Sequence, residues 1–126
     1  MNIPFFDYPA VFSKYKDSFL DIFDKVSSKG SFIMQDELLN FEKKIAAYSK
    51  CNFAVGVGNA TDALEMLVNV SGITKGDEVI ISSHTMIATA SAIATNGAKV
   101  IPVECGEDHL IDPEAVEKEI TNKTKC

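Results

Sequence analysis

Phe53-Ala54-Val55-Gly56-Val57-Gly58-Asn59-Ala60-Thr61-Asp62-Ala63-Leu64 is the stretch whose reading decides the fold. An apolar run free of charge meets a turn of small residues, and an amphipathic helix follows. A turn of this kind leaves backbone N–H groups of the first helical turn unpaired and aimed at one point. There the positive end of the helix dipole adds to the attraction for an anion. The Thr61 hydroxyl adds a further donor, and phosphate is the commonest guest of such a cradle. The same residues also suit a plain strand-to-helix turn in which Asn59 does nothing more than cap the helix.

Outward from this stretch the chain changes period. Before it, Phe12, Tyr15, Phe19, Ile22, Phe23 and Val26 recur at helical spacing, with Gly30 just beyond. A second helix is expected from Asp36 to about Ser49, with Leu38, Phe41, Ile45 and Tyr48 as its apolar stripe and Asp36 and Glu37 at its positive end. The apolar loop Phe32-Ile33-Met34 between them is expected to pack under these helices or to meet a partner. After the cradle comes an alternation: helix Thr61–Ser71 closed by Gly72, strand Glu78–Ser82, helix Met86–Asn96 closed by Gly97, strand Lys99–Val103, and a helix opened by Asp112-Pro113-Glu114. With Phe53–Val57 as its first strand, the pattern is βαβαβα. Runs such as Val79-Ile80-Ile81 lack internal alternation and suit a parallel sheet covered on both faces. Residues 1–50 thus read as an N-terminal helical segment and residues 51–126 as an incomplete α/β domain. The final Thr121-Asn122-Lys123-Thr124-Lys125-Cys126 resembles the approach to another strand, so the sequence reads as the front of a longer protein.

Composition narrows the class. The 126 residues are 46% hydrophobic and 24% charged, the balance of a globular domain. Eighteen acidic against 12 basic side chains give a formal charge of −6, which disfavours nucleic acid or an anionic membrane as general partner. No stretch reaches the ~20 apolar residues of a membrane span. Met1-Asn2-Ile3-Pro4-Phe5 does not resemble a secretion signal, so the cytoplasm is the expected location. Three cysteines without Cys-x-x-Cys spacing indicate neither a disulfide framework nor a zinc site, and two distant histidines make no metal centre.

Candidate chemistry is sparse. Gly56-x-Gly58 lacks the third glycine of a dinucleotide fingerprint, since Thr61 stands there, and Ser82-Ser83-His84 occupies the place of a ribose-binding acid. His84 follows the end of a strand, the edge where α/β sheets place ligands, and suits either a general base, a ring-stacking group or a plain loop residue. His109 sits in the polar turn Glu107-Asp108-His109 and reads as solvated.

Several segments match one family in order and spacing. Gly30-Ser31-Phe32-Ile33-Met34, Phe41-Glu42, Ala47-Tyr48, Ala54 through Leu64, Gly72-Ile73, Gly76-Asp77-Glu78-Val79-Ile80, Thr85-x-x-Ala88-Thr89, Asn96-Gly97-Ala98, Ile111-Asp112-Pro113 and Ile120-Thr121 together resemble the DegT/StrS-like sugar aminotransferases. That resemblance implies the N-terminal part of a fold type I large domain, preceded by two helices. It implies pyridoxal 5′-phosphate (PLP) as cofactor, with an amino group passing, usually from glutamate, to a keto group of a nucleotide-linked deoxysugar. Ala60 and Thr61, beside Asn59, match positions that hold the cofactor phosphate. Met86 matches the position against the pyridine ring, where the family usually has an aromatic residue, so the ring contact falls to Met86 or to His84. Lys125 does not match the Schiff-base lysine, and no catalytic residue of the family falls within this chain. The resemblance implies a homo-oligomer, in which Glu78–Ser82 and Lys99–Val103 are neighbours while Phe53–Val57 stands apart from them. The competing reading is a non-catalytic α/β phosphate-binding or interaction module, or another fold type I enzyme.

Overall fold

The computed structural model describes residues 4–126. Contacts divide the chain into two compact units, one ending at Gly56 and the other running from Val57 to Cys126. The division thus falls a few residues beyond position 50.

The first unit holds α1 (Tyr8–Ser27) and α2 (Asp36–Tyr48). Asp7 starts α1 by accepting the Ala10 N–H at 3.0 Å, with proline in the first turn where its missing donor costs nothing. Beyond α1, Gly30 adopts φ 69°, a conformation open to glycine without a Cβ penalty. The aromatic stripe of α1 forms as expected, and Phe12 and Phe19 stack with centroids 6.4 Å apart. No residue of α1 is buried, and Ala46 is the one buried residue of this unit among those described. Phe32, Ile33 and Met34 are 71–82% exposed, so packing beneath the helices is not what this loop does.

The expected strand Phe53–Val57 is not a strand here. A strand is defined by ladder partners, and this segment has none among the described residues. Instead Cys51–Gly56 runs back along α2. Cys51 N–H donates to the Ala46 carbonyl at 3.0 Å, and Gly56 N–H donates to Glu42 Oε1 at 2.7 Å.

The second unit contains α3 (Ala60–Val70), β1 (Glu78–Ser82), α4 (Ile87–Thr95), β2 (Lys99–Val103) and α5 (Pro113–Glu119). β1 and β2 pair in parallel, with Val79 opposite Val100 and Ser82 opposite Val103. The two-residue period and this register put Val79, Ile81 and Val100 on one face, where they pack with Val68 of α3 and Ile93 of α4. Ile80 points the other way and shares a groove with Val116 of α5. Helices therefore cover both faces, which is why these strands lack alternation.

On its other edge β1 pairs with the end of the chain. Glu78 N–H donates to the Lys123 carbonyl at 2.8 Å, Lys125 N–H to the Glu78 carbonyl at 2.9 Å, and Ile80 N–H to the Cys126 carbonyl at 2.9 Å. The approach to a further strand expected from Thr121–Cys126 is thus realised as a parallel bridge between Glu78 and Thr124.

Glu78 pins this arrangement. Only 8% exposed, its carboxylate accepts the Thr121 hydroxyl at 2.6 Å and the Lys99 ammonium at 3.2 Å, tying all three parallel segments at one end. The Thr121 hydrogen bond first, and Lys99 after it, hold its carboxyl below the usual glutamate value of 4.5. A depressed folded-state value means that the stabilisation is complete above the unfolded value and is lost as pH falls through the folded one. We expect urea midpoints to fall with acidification more steeply in the natural chain than in Glu78→Gln. Parallel pH profiles for the two proteins would contradict this role.

Candidate phosphate cradle

The first turn of α3 carries the candidate site, and its four leading N–H groups divide evenly. Asp62 N–H donates to Asn59 Oδ1 at 3.0 Å, and Ala63 N–H to the Asn59 carbonyl at 3.1 Å. Ala60 and Thr61 N–H have no acceptor among the described residues, and neither has the Thr61 hydroxyl. Ala60 is exposed and Thr61 half-buried, so these donors are presented to a ligand rather than sealed in a core. Asn59, with extended backbone at φ −163° and ψ 175°, acts as the helix cap.

Asp62 is a residue that motif reading passed over. Its Oδ2 accepts from Asn59 Nδ2 at 3.1 Å, closing a reciprocal pair that fixes which way the Asn59 amide faces. A Cβ on Gly58 would lie 2.7 Å from the same oxygen, so the carboxylate occupies the space a side chain would take. The Asn-x-x-Asp spacing was the available signal.

The donor set fits a phosphate group: two free backbone amides and a hydroxyl at the positive end of an 11-residue helix. The Asp62 charge beside them is partly offset by the Asn59 amide.

α3 and α4 run side by side in one direction. Asn96, just past the end of α4, accepts from Asn69 Nδ2 at 3.3 Å, late in α3, and donates to the Glu65 carbonyl at 3.5 Å, at its middle. Nearer the helix starts, Leu64 and Thr89 line a common groove of about 230 Å³. Ala60 and Thr61 therefore emerge at the same end of the unit as Ser83–Met86, which is also where β1 ends. Ser83 N–H is held by the Val103 carbonyl at 2.8 Å, whereas His84 is exposed and Met86, capping α4 with its backbone alone, is 74% exposed. No hydrogen bond joins His84 or Met86 to the cradle among the described residues. A larger depression of about 320 Å³, lined by Glu65, Met66, Asn69 and Asn96, lies at the opposite ends of the helices and has no part in the cradle.

A model of the DegT/DnrJ/EryC1/StrS aminotransferase family matches residues 14–126. The chain belongs to this family. It is 40% identical over 126 residues to a dTDP-3-amino-3,4,6-trideoxy-alpha-D-glucose transaminase of Streptomyces venezuelae, covering 99% of this chain and 33% of that protein. The crystal structure of S. venezuelae DesV in complex with a ketimine intermediate matches with TM-score 0.92 at 40% identity, over 97% of this chain and 33% of that one. NtdA of Bacillus subtilis with bound cofactor PMP matches with TM-score 0.91 at 26% identity, over 98% of this chain and 29% of that one. The chain spans about a third of the length of these relatives. Among DegT/StrS aminotransferases the α/β arrangement of β1, β2 and the helices is accordingly part of the fold type I large domain, as the resemblance implied.

Because the Asn59 side chain accepts the Asp62 N–H at the start of α3, Asn59→Ala should cost about 1 kcal/mol of stability, the usual value of a lost helix cap. Urea denaturation measures it, and an unchanged midpoint would show that Asn59 does not cap the helix in solution.

Proposed function

We propose that this chain is the N-terminal part of a PLP-dependent aminotransferase that transfers an amino group from an amino-acid donor to a keto group of a nucleotide-linked sugar. The observation that carries this is the pair of free N–H groups on Ala60 and Thr61 in a member of the aminotransferase family. When bound, PLP supplies the electron sink through which an amino group is exchanged. The residues of this chain bind and orient it. Ala60, Thr61 and the Thr61 hydroxyl hold the phosphate, the Asn59 cap keeps the turn in place, and Met86 or His84 meets the ring at the same end of the unit. A methionine thioether gives a ring less flat contact than an aromatic side chain, so ring placement here leans more heavily on the phosphate anchor.

No lysine of this chain matches the one that bonds the cofactor covalently, so the 126 residues alone retain PLP without turnover. The exposed aromatic stripe of α1 and the unpaired segment Phe53–Val57 are surfaces that further sequence and a second subunit cover in a cytoplasmic homodimer.

Thr61→Val should weaken PLP binding by roughly 0.5–3 kcal/mol, the range for a lost hydrogen bond to a charged group. Absorbance titration of the two proteins tests this, and equal affinities would remove the cradle assignment. Borohydride treatment of the PLP-loaded chain should leave no adduct at a single lysine. A stable adduct mapped to one lysine, with amino transfer from glutamate to a keto sugar, would overturn the division of labour proposed for this segment.

A further inference from the structure

Gly58, Asn59 and Asp62 lie together in the second unit, at the start of α3. A negative side chain beside a site for phosphate opposes the ligand, so Asp62 adds nothing to the attraction. Its geometry gives it a different part. The half-buried Asp62 side chain folds back over the turn, where Oδ2 accepts from Asn59 Nδ2 at 3.1 Å while Asn59 Oδ1 accepts the Asp62 N–H at 3.0 Å. The room for this comes from Gly58, since a Cβ there would lie 2.7 Å from the same Oδ2. The φ of Gly58 is not positive, so backbone freedom does not account for a glycine at this place.

We infer that Asp62 is a positioning residue for the phosphate cradle, acting through the Asn59 amide, and that the missing side chain of Gly58 lets its carboxylate reach that amide. This rests on the cofactor reading given above. An asparagine amide has an accepting end and a donating end, and turned the wrong way it would set its NH2 against the Asp62 N–H, donor to donor. The carboxylate only accepts, so it selects the orientation in which Asn59 Oδ1 caps the helix. Without it the Asn59 side chain samples more rotamers and the first turn opens more often. Phosphate binding must then restrict both before Ala60 and Thr61 can donate together. The carboxylate need not touch the ligand for this effect.

The test titrates PLP into the whole chain and into Asp62→Ala, Asp62→Asn, Gly58→Ala and the double alanine variant. Proton–nitrogen spectra of the ligand-free proteins follow the Asn59 side-chain NH2. Asp62→Ala should lower PLP affinity about three- to tenfold, the effect of a lost hydrogen bond to a partly exposed charged group. Asp62→Asn keeps an acceptor of the same reach and removes the opposing charge, so its affinity should match or exceed that of the natural chain. In Gly58→Ala the new methyl meets the tip of a side chain that can rotate, so the fold should survive while the carboxylate is displaced and affinity falls as in Asp62→Ala. Because the two positions act as one, adding Gly58→Ala to Asp62→Ala should weaken binding no further. Losses that multiply in the double variant would mean that the methyl blocks the ligand itself, and would refute the pair. If Thr61→Val weakens PLP binding while Asp62→Ala does not, the inference about Asp62 is wrong and the cofactor reading stands. If the natural chain shows no saturable PLP binding, the cofactor reading fails for this chain. The spectra then decide on the pair alone, and Asn59 NH2 signals that stay in place in both Asp62→Ala and Gly58→Ala refute it. Should Asp62→Ala not fold, the contrast between Gly58→Ala and Asp62→Asn carries the same decision, and equal affinities of those two would refute the inference.

Discussion

Parallel strands cannot be joined by a tight turn, so pairing Glu78–Ser82 with Lys99–Val103 forces the intervening chain to cross over one face of the sheet. That crossover is α4, and its apolar side, with Ala92 at 0% and Ile93 at 2% exposure, is consumed against the strands and α3. The directions of the helices follow. α4 must begin where β1 ends, and α3, laid beside it in the same sense, begins there too. Both candidate ligand segments therefore occur at one end of the unit because of how two strands pair and how α3 lies against α4, before any ligand is considered.

Anion binding in a chain of net charge −6 has to be local. Ion pairing offers little for it, since the ion pair found among the described residues, Lys99 with Glu78, serves the sheet. Backbone dipoles supply the attraction instead, acting within the first turn of a helix, where the field is strongest. The Asn59–Asp62 pair satisfies the donors a phosphate does not need and leaves the other two unspent. A carboxylate at this point also favours the helix when no ligand is present, so the empty turn keeps its shape.

The elements that were legible in the sequence are those whose signal is local. Both strands of the sheet were read at their observed limits, because apolar runs bounded by Gly76-Asp77 and Gly97-Ala98 leave little freedom in where they start. Helix limits came within a residue or so, marked by Asp112-Pro113 and by Gly72 and Gly97, each glycine at positive φ. Phe53–Val57 misled for the opposite reason: its composition is that of a central strand, but strand formation is a property of neighbours that these residues do not have here. Of the site, the cap role of Asn59 and the free donors of Ala60 and Thr61 could be read from the turn itself. The hold of Glu42 on Gly56, in the first unit, could not, since it joins positions 14 residues apart through the packing of α2. His84 and Met86 stayed open because an exposed side chain at the end of a strand carries no periodicity to identify its role.

Asn96 also bears on how the molecule ages. An asparagine followed by glycine loses its side-chain amide when the next backbone nitrogen attacks the side-chain carbonyl and closes a five-membered imide. Here that nitrogen, on Gly97, already donates to the Ala94 carbonyl at 2.9 Å, while the Asn96 amide is held by Ala92 at 2.9 Å and by Asn69 at 3.3 Å. Ring closure requires these bonds to break, so the folded unit protects the side-chain amide of its Asn-Gly pair, and conversion of Asn96 to an acid marks chains that have spent time unfolded. The acid so formed adds a negative charge at the C-terminal ends of both α3 and α4, where the helix dipoles oppose it, and a chain once altered there refolds with a weaker join between the two helices.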